Sequence, residues 1–268
     1  MSQDQIVTNL NSKEPPVGAI SPDPLTQRLA LINISHDSII SRAKRNNDGE
    51  NMSYESLVER AKIIKDLSYA IDEWIIKHVP EGITFNQELL GALVQSIGET
   101  QKPLIDLLVS ETNSISAYPS RPSIKIYEGV KGFLPDIWLL GWRENETSLE
   151  ATEIHDHVDS EAAFHVYQGC VDEVIFTFAE EQWKKPGTKL NVQKTTRGLR
   201  RGSTATIRAP YVHTVIDHRD KKPAVTIHAY YPPLDAMNFY EEQDGILVPK
   251  GSWSETPATH FNCGSHCK

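Results

Sequence analysis

Up to about residue 112, apolar positions recur three and four residues apart, which predicts amphipathic helices. Ser53 can cap the first helix, whose apolar positions are Leu57, Val58, Ala61, Ile64, Leu67, Ile71 and Trp74. A second helix is expected to begin near Thr84-Phe85-Asn86, and Pro103 is expected to open a short third one. Residues 1–23 are polar and contain several prolines, which predicts a flexible arm. We therefore expect a helical subdomain over residues 24–115.

Past Ser114 the pattern changes to short β-rich runs separated by Gly, Pro, Asn and Asp. The runs lie at 124–127, 137–142, 164–167, 174–178, 203–208, 213–216 and 224–230. Many short strands with turn residues between them are typical of an antiparallel sandwich or barrel. The sequence therefore predicts a β domain over residues 116–250 and a tail over 251–268.

Charge and cysteine content narrow the function classes. The formal net charge is −9, from 27 Lys and Arg against 36 Asp and Glu, and no basic face is evident, which argues against a nucleic-acid or anionic-membrane partner. The longest apolar runs are too short to span a bilayer, and no secretory signal is evident at the N-terminus. Three cysteines, at 170, 263 and 267, favour reduced thiols and a cytoplasmic location. The oligomeric state is left open.

The candidate metal-binding residues of the β domain lie in Ile154-His155-Asp156-His157 and at His213, 56 residues after His157. Two histidines one residue apart on a strand project to the same face, and a third from another strand could complete three corners of a metal site. Three neutral nitrogen ligands with open positions suit a catalytic metal such as iron or zinc. An ordinary pair of surface histidines is the alternative interpretation.

The same residues carry a family resemblance. The runs 154–160 and 166–169 resemble the first cupin motif of the cysteine dioxygenase family of thiol dioxygenases. The runs 213–217 and 223–233, with His228-x-Tyr230-x-Pro-Pro, resemble that family's second motif and its following strand. The resemblance covers roughly residues 122–245. It implies a mainly β fold, a cupin (double-stranded β-helix or jelly-roll) barrel, here with an N-terminal α-helical subdomain.

The resemblance also implies roles for individual residues. His155, His157 and His213 would bind one non-haem Fe(II) as cofactor. Thr226, His228 and Tyr230 match the family's Ser-His-Tyr series, and alternation places them on one strand face, with the phenol toward the metal as a catalytic group. A satisfied buried pair of His228 and Tyr230 is the alternative. Ala162 stands where some members carry the cysteine of a Cys–Tyr crosslink.

The expected reaction follows from this ligand set. Three neutral imidazoles leave coordination positions open for a small-molecule thiol substrate and for O2, and metal coordination deprotonates a thiol. Both oxygen atoms would be added to the sulfur of cysteine or a related small thiol, giving a sulfinate. Another mononuclear-metal cupin oxygenase acting on a non-thiol or a modified cysteine is an alternative. A non-catalytic cupin that binds a small ligand is a second one.

Substrate binding is the point at which the chain departs from the family. Members that use cysteine hold its carboxylate with an arginine on a strand before the first motif, whereas here Lys125 falls at that position and Arg121 lies four residues earlier. Lysine is a point charge that cannot form the bidentate fork of arginine. Lys125 and Arg121 are the candidate substrate-binding residues, and a solvated Lys125 is the alternative. In the tail, Cys263, His266 and Cys267 could bind a metal or form a redox pair, or belong to a flexible end.

Overall fold

In the computed structural model, the described residues are 54–114, 123–142, 151–183, 189–218 and 223–254. Several sequence-based predictions fall outside these ranges: the arm over 1–23, the capping Ser53, the substrate-binding candidate Arg121, and Cys263, His266 and Cys267 of the tail.

Three helices precede the strands: α1 (Tyr54–His78), α2 (Gln87–Thr100) and α3 (Lys102–Ser114). Asn86 caps α2, because its side-chain oxygen accepts a hydrogen bond of 2.9 Å from the backbone N–H of Leu89. All three helices confirm the predicted apolar periodicity. A single turn, α4 (Glu180–Trp183), lies among the strands. No helix within the described ranges is both long enough and apolar enough to cross a membrane.

Twelve strands follow the helices and form two antiparallel sheets. The strands are β1 (Ser123–Tyr127), β2 (Asp136–Gly141), β3 (Ile154–His155), β4 (Glu161–Gln168), β5 (Cys170–Thr177), β6 (Leu190–Asn191), β7 (Gln193–Arg200), β8 (Thr204–Ile207), β9 (Val212–Asp217), β10 (Val225–Tyr231), β11 (Ala236–Gln243) and β12 (Ile246–Ser254). One sheet has the order β1-β2-β10-β4-β8, and the other has the order β6-β12-β11-β3-β9-β5-β7. The predicted mainly β, cupin-type barrel with N-terminal helices is confirmed.

Strand β10 shows how the five-stranded sheet separates two cores. Its residues Val225, Ile227, Ala229 and Tyr231 pack in one apolar cluster with the helices. Thr226, His228 and Tyr230 alternate with them and therefore point to the opposite face. That face meets the seven-stranded sheet across a second cluster, to which β2, β4, β8 and β10 contribute together with Val171 of β5 and Val215 of β9. The polar series of β10 thus faces the barrel interior.

Helix α2 covers the outer face of the five-stranded sheet at very short range. A Cβ atom added to Gly98 would lie 2.6 Å from the ring of His165 on β4, so only glycine allows this approach. The contact fixes β4 against the helices, and β4 in turn pairs with β10. The helical region therefore supports the strand that carries the candidate catalytic series.

Several strands were not predicted. Strand β7 is an edge strand whose residues are mostly exposed, so it lacks the apolar alternation that identifies a strand. Strands β11 and β12 form a hairpin around Asp244-Gly245, which both have positive φ, 52° and 78°. This Asp-Gly pair is a typical signal for a tight hairpin turn and was the available clue. Strands β3 and β6 have only two residues each.

Candidate metal centre

His155 and His213 lie directly opposite each other on neighbouring strands. His155 on β3 pairs with His213 on β9, and β3 is held on its other side by β11. Side chains of directly opposed residues in an antiparallel pair project to the same face. The two ring centroids are 4.7 Å apart, and both side chains are buried. The fold thus joins two histidines that are 58 positions apart in the sequence.

His157 reaches the same point by a route that differs from the prediction. The prediction of two histidines on one strand is wrong in this detail, because β3 ends at His155 and His157 lies in the following turn. Val158 in this turn has a positive φ of 54°. The turn nevertheless brings the ring of His157 within 5.0 Å of His155 and 5.1 Å of His213, measured between centroids. Turn geometry, rather than strand alternation, therefore supplies the third histidine.

Asp156 holds this turn in place. Its carboxylate is buried and accepts hydrogen bonds from Val158 N (2.9 Å), Asn238 Nδ2 (3.0 and 3.2 Å), Asn238 N (3.3 Å) and Tyr240 Oη (2.7 Å). Asn238 and Tyr240 belong to β11. Because Asp156 stands between His155 and His157, these bonds fix both rings relative to the seven-stranded sheet. The sequence analysis assigned no role to this residue.

The three histidines fit a metal ion. One ring nitrogen from each forms a set whose members all lie within 4.8 Å of one another. Nδ1 of His155 is 2.7 Å from the backbone oxygen of Glu153, which leaves Nε2 directed inward. Within the part of the chain that the structure describes, the buried Nε2 of His213 has no hydrogen-bond partner. Nε2 of His155 and Nε2 of His157 are 3.2 Å apart, a distance at which two lone pairs need a shared proton or cation.

Burial and the neighbouring imidazoles favour the neutral form of His157. Burial, reinforced by the neighbouring His155, His213 and His228, holds the pKa of His157 well below its ordinary value of 6.5. A neutral imidazole keeps the lone pair with which it binds a metal. His157 is therefore ready to act as a metal ligand at neutral pH.

Glu173 on β5 is a second residue that the sequence analysis missed. Its side chain is fully buried, and Oε1 lies 2.8 Å from Nδ1 of His213. Burial alone would raise the pKa of Glu173, but the hydrogen bonds from His213 and Arg197 and the charge of Arg197 outweigh it, so the pKa is lowered. The available signal was its position, because Glu173 takes an inward place in the alternation Val171-Glu173-Ile175. A charged residue at such a place requires a partner.

The series on β10 lies beside the histidines. Thr226 Oγ1 is 2.7 Å from Nε2 of His228, and Tyr230 Oη is 3.2 Å from Nδ1 of the same ring. Phe164 stacks on His228 at 5.0 Å, which fixes the plane of that imidazole. The Tyr230 ring stands edge-on to His157 at 5.0 Å. The structure thus brings together the three predicted catalytic residues and the three predicted ligands.

Ala162 lies directly opposite Tyr230 on the neighbouring strand β4. In some members of the family that the chain resembles, this position carries the cysteine of a Cys–Tyr crosslink. The methyl group of alanine cannot form a thioether, so no crosslink joins Tyr230 to this position. Its orientation depends on packing and on His228.

Lys125 has partners of its own. Its Nζ lies 3.0 Å from Oδ2 of the buried Asp136 and 4.7 Å from the centroid of the Trp138 ring. Lys125 is paired with Trp138, Trp138 with His228, and Asp136 with Tyr230, so all of them share the inward face of the five-stranded sheet. The side chain of Lys125 is only 12% exposed, which argues against a solvated lysine. The structure therefore places it on the face of the candidate site, already engaged with a carboxylate.

The comparisons with known proteins point to one family. The family described as Cysteine dioxygenase type I matches residues 125–243. Cysteine dioxygenase type 1 of Rattus norvegicus and that of Homo sapiens are each 29% identical to the chain over 111 residues. This stretch is 41% of the chain, and the chain spans about half, 51%, of the length of these curated relatives.

The solved structures that match are less similar in sequence. An uncharacterised conserved protein with a double-stranded β-helix domain from Klebsiella pneumoniae is 11% identical, with a TM-score of 0.32, and the match covers 46% of this chain and 87% of that one. An oxalate oxidase in complex with glycolate is 14% identical, with a TM-score of 0.28 and coverage of 36% and 41%. The sequence matches agree with one another: over residues 125–243 the chain is similar to cysteine dioxygenase type I.

Proposed function

We propose that the protein is a non-haem Fe(II)-dependent dioxygenase that adds both atoms of O2 to the sulfur of cysteine or a related small thiol. The reaction balances without a further reductant, because a thiolate and O2 together give a sulfinate. The observation that supports this proposal most strongly is the joint geometry of two groups. Three buried histidines converge, and Thr226, His228 and Tyr230 end beside one of them, with the Tyr230 ring 5.0 Å from His157.

His155, His157 and His213 would hold the iron. When bound, Fe(II) would supply the electron chemistry that activates O2 and the positive charge that deprotonates a thiol. A zinc ion would fit the same ligands but lacks redox chemistry. The low and odd cysteine count supports a cytoplasmic enzyme, where both iron and thiol substrates stay reduced.

The proposed role of Tyr230 is to donate a hydrogen bond at the reacting end of the site. A neutral His228 has one ring nitrogen that donates and one that accepts. If Nδ1 carries the proton, it donates to Tyr230 Oη, while Thr226 donates to Nε2 and the phenol O–H is directed elsewhere. The phenol then offers its proton to a bound group. In the other tautomer, Tyr230 donates to His228 and has no proton to offer, while Nε2–H donates to Thr226.

Lys125 and Arg121 are the proposed substrate-binding residues. Lys125 shares the inward face with Tyr230 and carries a positive charge that could meet a substrate carboxylate. However, the ion pair with Asp136 at 3.0 Å already uses part of this charge. We therefore expect weaker selection for a carboxylate than an arginine fork would give.

The experiment that tests the proposal is oxygen consumption by anaerobically Fe(II)-loaded protein. The substrates are cysteine, cysteamine, 3-mercaptopropionate and larger cysteine derivatives, with serine as the matched compound without sulfur. We expect thiol-dependent uptake and, from isotopically labelled O2, a sulfinate in which both new oxygen atoms carry the label. No uptake with any thiol, in protein shown to hold iron, would leave a metal centre but favour a cupin oxygenase with a non-thiol substrate or a ligand-binding cupin.

Tyr230→Phe should lower the turnover rate about 10- to 100-fold while iron retention stays the same. The substitution removes only the hydroxyl, and no metal ligand is touched. Tyr231→Phe is the matched control, since Tyr231 is next in the strand but points to the helical side, where it packs against Phe85. Parallel assays of oxygen uptake and bound iron separate the two effects. Unchanged turnover in Tyr230→Phe would make Tyr230 a structural residue.

A further inference from the structure

Glu173 is a buried carboxylate in direct contact with His213, and three side chains converge on it. Its exposed fraction is 0%. Oε1 lies 2.8 Å from Nδ1 of His213 and 3.0 Å from Oη of Tyr211, and Oε2 lies 2.5 Å from Nε of Arg197. Tyr211 lies just before β9, and Arg197 lies on β7, directly opposite Glu173. Both oxygens of this buried carboxylate are therefore occupied.

An ionised carboxylate only accepts hydrogen bonds, so each of these partners must donate. Tyr211 and Arg197 meet this condition with their O–H and N–H groups. For His213 the condition selects a tautomer, because Nδ1 must carry the proton. The other nitrogen, Nε2, then keeps its lone pair. Nε2 is the atom that faces His155 and His157, and among the described residues it has no hydrogen-bond partner.

We propose that Glu173 is a positioning residue of the metal centre, fixing His213 in the Nδ1–H tautomer, with Arg197 and Tyr211 holding the carboxylate in place. The inference rests on the proposed function in one respect, namely that the histidines hold a metal. It goes further because it proposes that Glu173 sets the basicity of His213. Glu173 would place a negative charge one imidazole away from the metal, which strengthens His213 as a donor.

Arg197 explains why this charge is tolerated. A carboxylate buried to this extent without a countercharge would cost a large desolvation free energy, and it would tend to take up a proton. The guanidinium of Arg197 compensates it from the edge strand, where the side chain is 38% exposed. Glu173 is thus a buried anion, and the side chain of Arg197 that neutralises it is partly exposed to solvent.

The test is Glu173→Gln in the full-length, metal-free protein. Glutamine keeps the size of the side chain, but its amide can donate to Nδ1 of His213 and so allow a proton on Nε2. We expect affinity for Zn(II) and Co(II), measured by competition with a chelator, to fall about 10- to 100-fold. Heteronuclear NMR of the imidazole nitrogens should show His213 protonated on Nδ1 in the wild type and on Nε2 in a substantial fraction of the variant.

Glu242→Gln is the matched control, because Glu242 pairs with Lys194 at 2.7 Å in the same sheet but away from the histidines. Unaltered metal affinity and an unaltered His213 tautomer in Glu173→Gln would overturn the inference. If the wild type itself binds no metal, the proposed function fails, while the tautomer measurement still decides the role of Glu173. If Glu173→Gln does not fold, Tyr211→Phe removes one holding bond, and we expect about 5-fold weaker binding; no change there would count against the proposal.

Discussion

His213→Ala and His155→Ala should each leave a folded chain that no longer retains a metal ion. Each substitution removes one of three converging ring nitrogens, and two imidazoles hold Fe(II) poorly against buffer. The loss of affinity should exceed about 100-fold, the upper range for loss of an outer partner of a ligand. Thiol-dependent oxygen uptake should vanish with the metal. The ratio of iron to protein after desalting is the direct measurement.

Thermal unfolding provides an independent measurement of the same centre. A ligand that binds only the native state, at 100 times its dissociation constant, stabilises it by about 2.7 kcal/mol. Metal addition should therefore raise the melting temperature of the wild type and leave that of either variant unchanged. His218→Ala is the control, since His218 is 63% exposed and pairs with Asp172 outside the cluster. Full metal occupancy in His155→Ala or His213→Ala would rule out the ligand assignment.

Asp156→Ala should have the largest effect on stability. The substitution removes the acceptor for Val158 N, for the backbone and side chain of Asn238, and for the hydroxyl of Tyr240. Buried donors left without a partner each cost free energy, and several of them together should lower the free energy of unfolding by about 3 to 5 kcal/mol. Metal affinity should fall as well, because the turn that presents His157 loses its anchor.

Two further variants test whether the effect of Asp156→Ala comes from the lost hydrogen bonds. Asp156→Asn keeps one oxygen acceptor and should recover part of both losses. Asp159→Ala, in the same turn but exposed, should change neither quantity beyond experimental error. Chemical denaturation of the metal-free proteins, followed by metal titration, measures the two effects separately. An Asp156→Ala variant as stable as the wild type would show that the turn is held by its backbone alone.

The parts of the centre that could be predicted from sequence are those whose side-chain directions follow from the alternation within one strand. Thr226, His228 and Tyr230 alternate within one strand, so period-two geometry alone puts them on one face. For these residues, neighbours along the strand decide the side-chain direction. That His155, His157 and His213 converge was expected from the resemblance to a known family, whereas the direct pairing of His155 with His213 was not predicted. The same resemblance led to a mainly β barrel.

The parts that could not be predicted depend on long-range partners. His157 reaches the cluster because Asp156 is bonded to β11, 82 positions away from Asp156 at Asn238. The inward position of Glu173 can be read from the alternation of β5, but its partners His213 and Arg197 come from other strands. The ion pair of Lys125 with Asp136 likewise depends on the register of β1 against β2. The sequence shows which charged and polar residues the chain contains, whereas the register between strands determines which of them form ion pairs.

The distribution of the site over the two sheets has a consequence for how such a protein can change its substrate. His155, His213 and Glu173 stand on the seven-stranded sheet, whereas Tyr230, His228 and Lys125 stand on the five-stranded sheet. Under the proposed function, mutations in the seven-stranded sheet alter the affinity for the metal, and mutations in the five-stranded sheet alter which thiol is accepted. A lineage can therefore explore new substrates by drift in the five-stranded sheet, including exchanges such as arginine to lysine, without first losing its metal.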